Sequence, residues 1–257
     1  MTPSDQAAVR PSPTNNILRG ALFAALATLS ACAGVQRATA PDVTIVDELP
    51  KDVPAAPPAD AIRFNVMPAE STLRILTYRA GPMARFGHHH VIAARSFSGT
   101  VWLHDPVAQR IVELNSPVSE LVVDDDKARA TLGEGFEKPV PDSARSGTRD
   151  NMLSSDLLHA EQYPFVRIRC SQLPQLGTGI LNCAVSVAGS DVSLAIPVTV
   201  AVDAYVLTAS GEATLTHEQL GLTPFSAAGG AISVADGMTL TFDIVAQQLS
   251  GQTARRQ

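Results

Sequence analysis

Aromatic residues make up only 5% of this 257-residue chain, and charged residues only 17%. With one tryptophan and three tyrosines, it has no row of rings on which single-stranded bases could stack. A formal net charge of −6 argues against a broad electrostatic surface for nucleic acid. No apolar run approaches the roughly 20 residues that a helix needs to cross a bilayer. Also missing are a Gly-x-Ser-x-Gly elbow, a phosphate-binding loop and any Cys-x-x-Cys-His, so the usual hydrolase nucleophile, nucleotide cradle and c-type haem attachment have no candidates. The 45% hydrophobic content argues against a disordered chain and allows a sizeable core.

What is present begins with an address. In residues 15–32, NNILRGALFAALATLSAC, Arg10 and Arg19 supply a positive flank and residues 21–29 form a short apolar stretch. That length suits the hydrophobic region of an export signal better than a spanning helix. It ends in Leu29-Ser30-Ala31-Cys32, which resembles the lipobox of bacterial lipoproteins. The resemblance implies cleavage after residue 31, a diacylglyceryl group on Cys32 and attachment to a membrane. With Ala33 next, the sorting pattern implies the periplasmic side of a Gram-negative outer membrane. Residues 32–60 carry Pro41, Pro50, Pro54, Pro57 and Pro58 without a period that could build a core, and read as a spacer. Residues 61–248 are the expected folded domain, and 249–257 a polar tail.

Three cysteines remain consistent with export. Cys170 and Cys183 flank the turn-rich segment 173–179, LPQLGTG, so a hairpin there would set them opposite each other. An oxidising compartment would keep such a pair bonded, provided strand register gives the right geometry.

From residue 61 onward the pattern alternates with period two, the mark of strands with one dry and one wet face. Phe97, Val101 and Leu103 share a phase. So do Val192, Leu194, Ile196, Val198, Val200 and Val202, and again Met238, Leu240, Phe242 and Ile244. Pro197 removes a ladder donor, so its strand should be an edge or bulged at that point. One stretch reads as helical, residues 148–161, stopped by the proline after Tyr163. About eight alternating segments with short turns predict an all-β antiparallel barrel with one short helix near residues 148–158. Ala209, Gly211 and Ala213 on the inward phase hint at a hollow interior, although alternation alone does not separate a filled barrel from an empty one.

RDNMLSSDLLHAEQYPFVRIR (149–169), FSGTVWL (97–103) and GLTPFSAAGGAISVADGMTLTFDIVA (221–246) together resemble the YceI-like family, in its order and over approximately residues 62–247. That resemblance implies a lipocalin-like barrel whose apolar tunnel holds a polyprenyl or quinone-like lipid. Candidate wall residues on the inward phases are Phe97, Val101, Leu103, Leu194, Ile196, Val198, Leu240 and Phe242. The chain departs from the family pattern where a His-Gly-Val-Thr-Arg-like motif often stands. Here the stretch is Ala188-Gly189-Ser190-Asp191-Val192, which puts a ligand contact from that loop in doubt. The segment 81–91, GPMARFGHHHV, resembles a subgroup with a Gly-His-x-His element.

That segment opens an alternative. In an extended strand His88 and His90 would point the same way, close enough for two ligands on one metal, with His104 or His159 as a possible third. Against a structural zinc site, no Cys-x-x-Cys accompanies the run. Asp124-Asp125-Asp126 reads as a solvated turn, and Arg149-Asp150 as an ion pair or helix cap. The expected role is therefore non-enzymatic: binding an apolar lipid with no cofactor required, or, failing that, handling a metal or haem through His88 and His90.

Overall fold

The computed structural model describes residues 41–42, 44–45 and 56–248. The signal segment 1–31, Cys32 and the tail 249–257 lie outside the described residues. Thirteen strands and two α-helices follow in chain order. They are β1 (Thr44–Ile45), β2 (Ile62–Val66), β3 (Thr72–Ala80), β4 (His90–Ala94), β5 (Ser98–Leu103), β6 (Ile111–Pro117) and β7 (Leu121–Val123). After α1 (Asp126–Ala130) and α2 (Asp142–Leu153) come β8 (Phe165–Ser171), β9 (Gly177–Val187), β10 (Ser190–Asp203), β11 (Val206–Thr216), β12 (Ser226–Ala227) and β13 (Ile232–Gln248).

Eight of them close an antiparallel barrel in the order β2, β5, β6, β8, β9, β10, β11, β13 and back to β2. Closure pairs each of these eight strands with two neighbours along at least part of its length, which limits the edges open to another chain. The 17-residue β13 makes it possible. One side of it pairs with β11 along residues 237–247, while its other side is shared between β2 and β3. Pro68 and the short 3₁₀ turn after it separate β2 from β3. From β3 the sheet branches through β4 to β7, outside the closed ring.

Local chemistry explains the irregular points. At the tip between β9 and β10, Ala188 (φ +48°) and Gly189 (φ +82°) make a left-handed turn. A Cβ on Gly189 would lie 2.5 Å from the Tyr163 ring, so the glycine of the departing stretch 188–192 packs under a tyrosine of the resembling segment 149–169. Pro197 sits where expected of a donor-less residue. Its ladder to β9 is continuous (Pro197↔Ile180), but pairing of β10 with β11 starts only at Thr199. Beyond that point β10 and β11 diverge, and Asp42, Thr44 and Ile45 contact them, through β1 on Leu194–Ala195 and the Asp42↔Thr214 bridge. This pairing falls inside the stretch read as a spacer.

Three local expectations are corrected. The helix runs Asp142–Leu153, starting earlier and ending sooner than the expected 148–158. Pro141 stands immediately before its first turn, and Asp142 lies within that turn. Polar residues and Gly147 dilute the apolar signal over this half, whereas residues 155–158 are turn rather than helix. Asp124 is not in a solvated turn but fully buried, and Asp125 is the cap of α1, accepting from the Ala128 N–H at 3.0 Å. Arg149 bonds the Ser119 carbonyl rather than Asp150, which is exposed.

Candidate functional site

The barrel interior is not filled. Inward-facing Leu73, Ile75, Ile92, Leu114, Val166 and Ile168 remain only partly buried because their side chains border open space. A cavity of about 210 Å³ occupies one end, walled by those residues with Leu194, Ile196, Leu215 and Leu240. A smaller chamber of about 80 Å³ continues toward the other end, among Val112, Cys170, Leu181 and Ile244. Leu73, Leu114, Ile168, Ile196 and Leu240 border both, so these side chains form a waist between two adjoining chambers. Apolar cavities near 150 Å³ stay dry and take up small hydrocarbons, so a space this large and this apolar favours an apolar guest over water.

The ends differ. At the narrow end, Leu173 and Arg110 are buried, and the Arg110 guanidinium donates to the His104 and Leu173 carbonyls and to Asp105. The Cys170–Cys183 disulfide ties β8 to β9 here, in the register Cys170↔Cys183 that the hairpin predicts. At the wide end the cover is apolar: Met152, Leu157 and Leu158 after α2, with Leu220 and Leu222 from the segment following β11. Polar groups are few there. Thr77, Ser116 and His217 reach the lining, and the His217 Nδ1–H donates to the Asp236 carbonyl at 2.7 Å.

The structure sorts the eight predicted wall residues. Phe97 and Leu194 line the wide chamber, Val101 and Phe242 the narrow one, and Ile196 and Leu240 both. Val198 and Leu103 line neither; Val198 is packed in the core and Leu103 against it. The small inward residues of β11 serve different ends. Ala209 borders the narrow chamber, whereas the space over Gly211 is taken by Phe242, whose ring lies 2.5 Å from where a Cβ would be.

Alternation missed the β3–β4 wall for a physical reason. In Thr72–Ala80, Leu73, Ile75 and Thr77 face the cavity while Leu76 and Tyr78 face a second small core with Val91, Ala128 and Phe136. Both faces are covered, so the apolar phase is blurred. The residues covering the wide end lie in a helix end and turns, where a strand phase carries no information.

The histidine run packs against that second core. His90 Nδ1–H donates to the Asp124 carboxylate at 2.6 Å, and its Nε2 lies 3.4 Å from the Thr148 hydroxyl. Burial alone would raise the Asp124 carboxyl. Hydrogen bonds from His90, the Val91 N–H and Arg129 outweigh it and hold the group below the ordinary carboxylate range. Arg129, itself buried, also donates to the carbonyls of His89, Phe136 and Lys138. His89 packs between Tyr78 and Phe136. Desolvation first, then the positive charge of neighbouring Lys138, depresses His88. Desolvation, then Arg79, depresses His89. The other two candidate ligands are elsewhere, His104 on Asp60 and His159 against Tyr163. Among the described residues no group of three or more His, Cys, Asp or Glu side chains is placed to hold a metal. The His88 and His90 rings are tilted and stand 6.1 Å apart, and the two nitrogens of His90 face Asp124 and the Thr148 hydroxyl.

No known protein-family profile matches the chain, and no curated protein matches it. Solved structures do. BcnA of Burkholderia cenocepacia is 18% identical, over 70% of this chain and 98% of that one, with a TM-score of 0.50. A polyisoprenoid-binding domain from Saccharophagus degradans, implicated in plant cell wall breakdown, is 8% identical, over 73% of this chain and 99% of that one, also at 0.50. The Campylobacter jejuni YceI protein is 10% identical over 62% and 84%, at 0.44. The chain has the lipocalin-like fold that the YceI resemblance implies.

Proposed function

We propose that this protein binds an isoprenoid-type lipid, a polyprenyl or quinone-like chain, in the barrel tunnel, and carries or sequesters it at the bacterial cell envelope. One observation carries the reading: two adjoining apolar chambers in one barrel, bounded by polar packing at one end and covered by aliphatic side chains at the other. The solved domain that binds polyisoprenoids has the same fold, which supports the ligand class. Each methylene moved from water into such a lining gains about 0.8 kcal/mol, so a few isoprene units give tight binding without a polar code. Thr77, Ser116 and His217 are the groups available to read a hydroxyl or carbonyl at the wide end. The role calls for no cofactor and no chemistry on the ligand.

The envelope location rests on the sequence: an export signal over residues 1–31 and lipidation of Cys32, with the periplasmic side of an outer membrane as the destination. The disulfide fits an oxidising compartment. The test is mass spectrometry of the protein recovered from its own host, first intact under native conditions and then after solvent extraction. A stoichiometric isoprenoid hydrocarbon is the expected result. An empty barrel that also refuses added prenyl alcohols and quinones would end this reading.

A further inference from the structure

Beyond the wide end of the tunnel, the wall formed by β3 and β13 continues outward. Thr77 and Met238 border the cavity, and the two strands then pair again at Arg79↔Val234 and Ala80↔Ser233 before the chain turns back through residues 81–87. Three residues of strand place this tip about 10 Å past the cavity rim. A second segment, residues 222–231, folds against it. The Met83 N–H donates to the Ala231 carbonyl at 2.9 Å, and the Val234 N–H to the Phe225 carbonyl at 2.9 Å.

The tip carries what a soluble surface usually hides. Phe86 is 56% exposed, Met83 41% and Phe225 39%. The Arg85 guanidinium lies over the Phe86 ring at 4.7 Å, an arrangement in which the ring can sink while the charge stays at the polar boundary. Arg79 is bonded to the Gly87 carbonyl at 3.2 Å and is exposed beside it. Residues 79–87 and 222–235 together hold these two arginines and no acidic residue; exposed Asp236 follows, between the tip and Met238 at the cavity rim, its carboxylate accepting from the Glu218 N–H. The opposite end of the barrel also exposes apolar side chains, Leu176, Ile180 and Tyr205, but there Asp60, Asp105 and Asp203 accompany them. At the tip itself the exposed apolar side chains stand with cations alone, the arrangement that matches a negatively charged apolar boundary.

We infer that the tip formed by residues 81–87 and 222–230 is a docking surface for an anionic lipid bilayer, which sets the wide end of the tunnel against the membrane. Met83, Phe86 and Phe225 enter the acyl boundary, and Arg79 and Arg85 meet the phosphates. As a loading route for the tunnel this rests on the lipid-binding reading; as a surface property it does not.

The experiment uses the full-length protein in a Cys32→Ser background, so that an introduced thiol is the one free to take a label, the other two cysteines being bonded to each other. Met83→Cys at the tip and Leu176→Cys at the far end are each labelled with bimane. Each is mixed with phosphatidylglycerol vesicles containing a doxyl-quencher lipid. The tip label should be quenched severalfold more than the far-end label, with the difference reduced by Arg85→Glu and in purely zwitterionic vesicles. Equal quenching at both ends, quenching at Leu176→Cys alone, or none at either, would overturn the docking surface. Prenyl alcohol binding by the same labelled proteins is read separately. If the lipid binds but the tip is not quenched, docking fails and the tunnel reading survives. If the tip is quenched but no lipid binds, the reverse holds.

Discussion

The waist in the tunnel makes ligand length a measurable property. Ala209 borders the narrow chamber and not the wide one, on β11 between Val200 and Ile244. Ala209→Leu would place an isobutyl group in that chamber and leave the wide chamber as it is. Cavity volume in a protein interior is worth about 24 cal/mol per Å³, so losing about 80 Å³ of ligand contact costs about 2 kcal/mol, near 25-fold in Kd. A short prenyl alcohol such as geraniol, seated in the wide chamber, should bind Ala209→Leu as it binds the wild type. A long one such as solanesol should lose about 25-fold. Because the new side chain fills space that is empty without ligand, the melting temperature should hold or rise. The assay is displacement of a fluorescent fatty probe by each alcohol, with a thermal melt of the unliganded protein alongside. If both alcohols weaken equally, the substitution has disturbed the barrel as a whole. If neither weakens, the narrow chamber is not part of the site, and the two-chamber argument is wrong.

Three further outcomes follow from named contacts. Arg129→Met removes the cation from beside buried Asp124 and frees three carbonyls, which should cost about 3–5 kcal/mol, or about 6–20 °C in a calorimetric melt. A loss below about 1 kcal/mol would show that the second core is not held by this pair. Acidification should destabilise the fold: His88, His89 and Asp124 all have folded pKa values below their unfolded ones, so the unfolded chain takes up more protons as pH falls. The melting temperature should decline from about pH 6.5 downward as the unfolded histidines protonate, and again below about pH 4 as Asp124 loses its charge. His88→Gln with His89→Gln should flatten the upper limb alone, and an unchanged profile would refute the assignment. Reducing Cys170–Cys183, which closes a short loop, should cost about 3 kcal/mol in urea unfolding, and an unshifted midpoint would show that the hairpin needs no such tie.

The sequence was legible wherever one face of a strand is dry and the other wet. β10 shows it most clearly: Leu194, Ile196, Val198 and Val200 are buried, and their neighbours are less so. The same phase placed Cys170 and Cys183 inward and opposite, and the pair is bonded. Legibility failed where burial is two-sided or depends on distant chain. β3 hides its cavity face because Leu76 and Tyr78 occupy a second core on the other side. Asp124 stands in a run of three aspartates, a pattern ordinarily left in water, and only the fold brings Arg129 and His90 to it. Whether the barrel is hollow was only hinted at by small inward residues, and of these Gly211 makes room for Phe242 rather than for a guest. A filled core and a lined tunnel impose the same alternation, and the difference lies in whether side chains from opposite strands meet.

The two ends of the barrel answer why they do not meet at the wide one. At the narrow end, β8 and β9 are covalently tied and the buried guanidinium of Arg110 holds the carbonyls of His104 and Leu173, so the wall closes on itself. At the wide end, β13 turns from β2 to β3, and β3 leads outward into β4 and β7 instead of back across the ring. The added wall brings Leu73, Ile75 and Ile92 to the perimeter without bringing anything to the centre. What covers the space is a set of aliphatic side chains on turns, from residues 152–158 and 220–222, rather than a paired strand. Opening a cover of turns breaks fewer backbone hydrogen bonds than parting a ladder. An apolar guest would therefore enter past Leu157 and Leu220, on the end of the barrel that carries the exposed arginine-flanked tip, and not past Arg110.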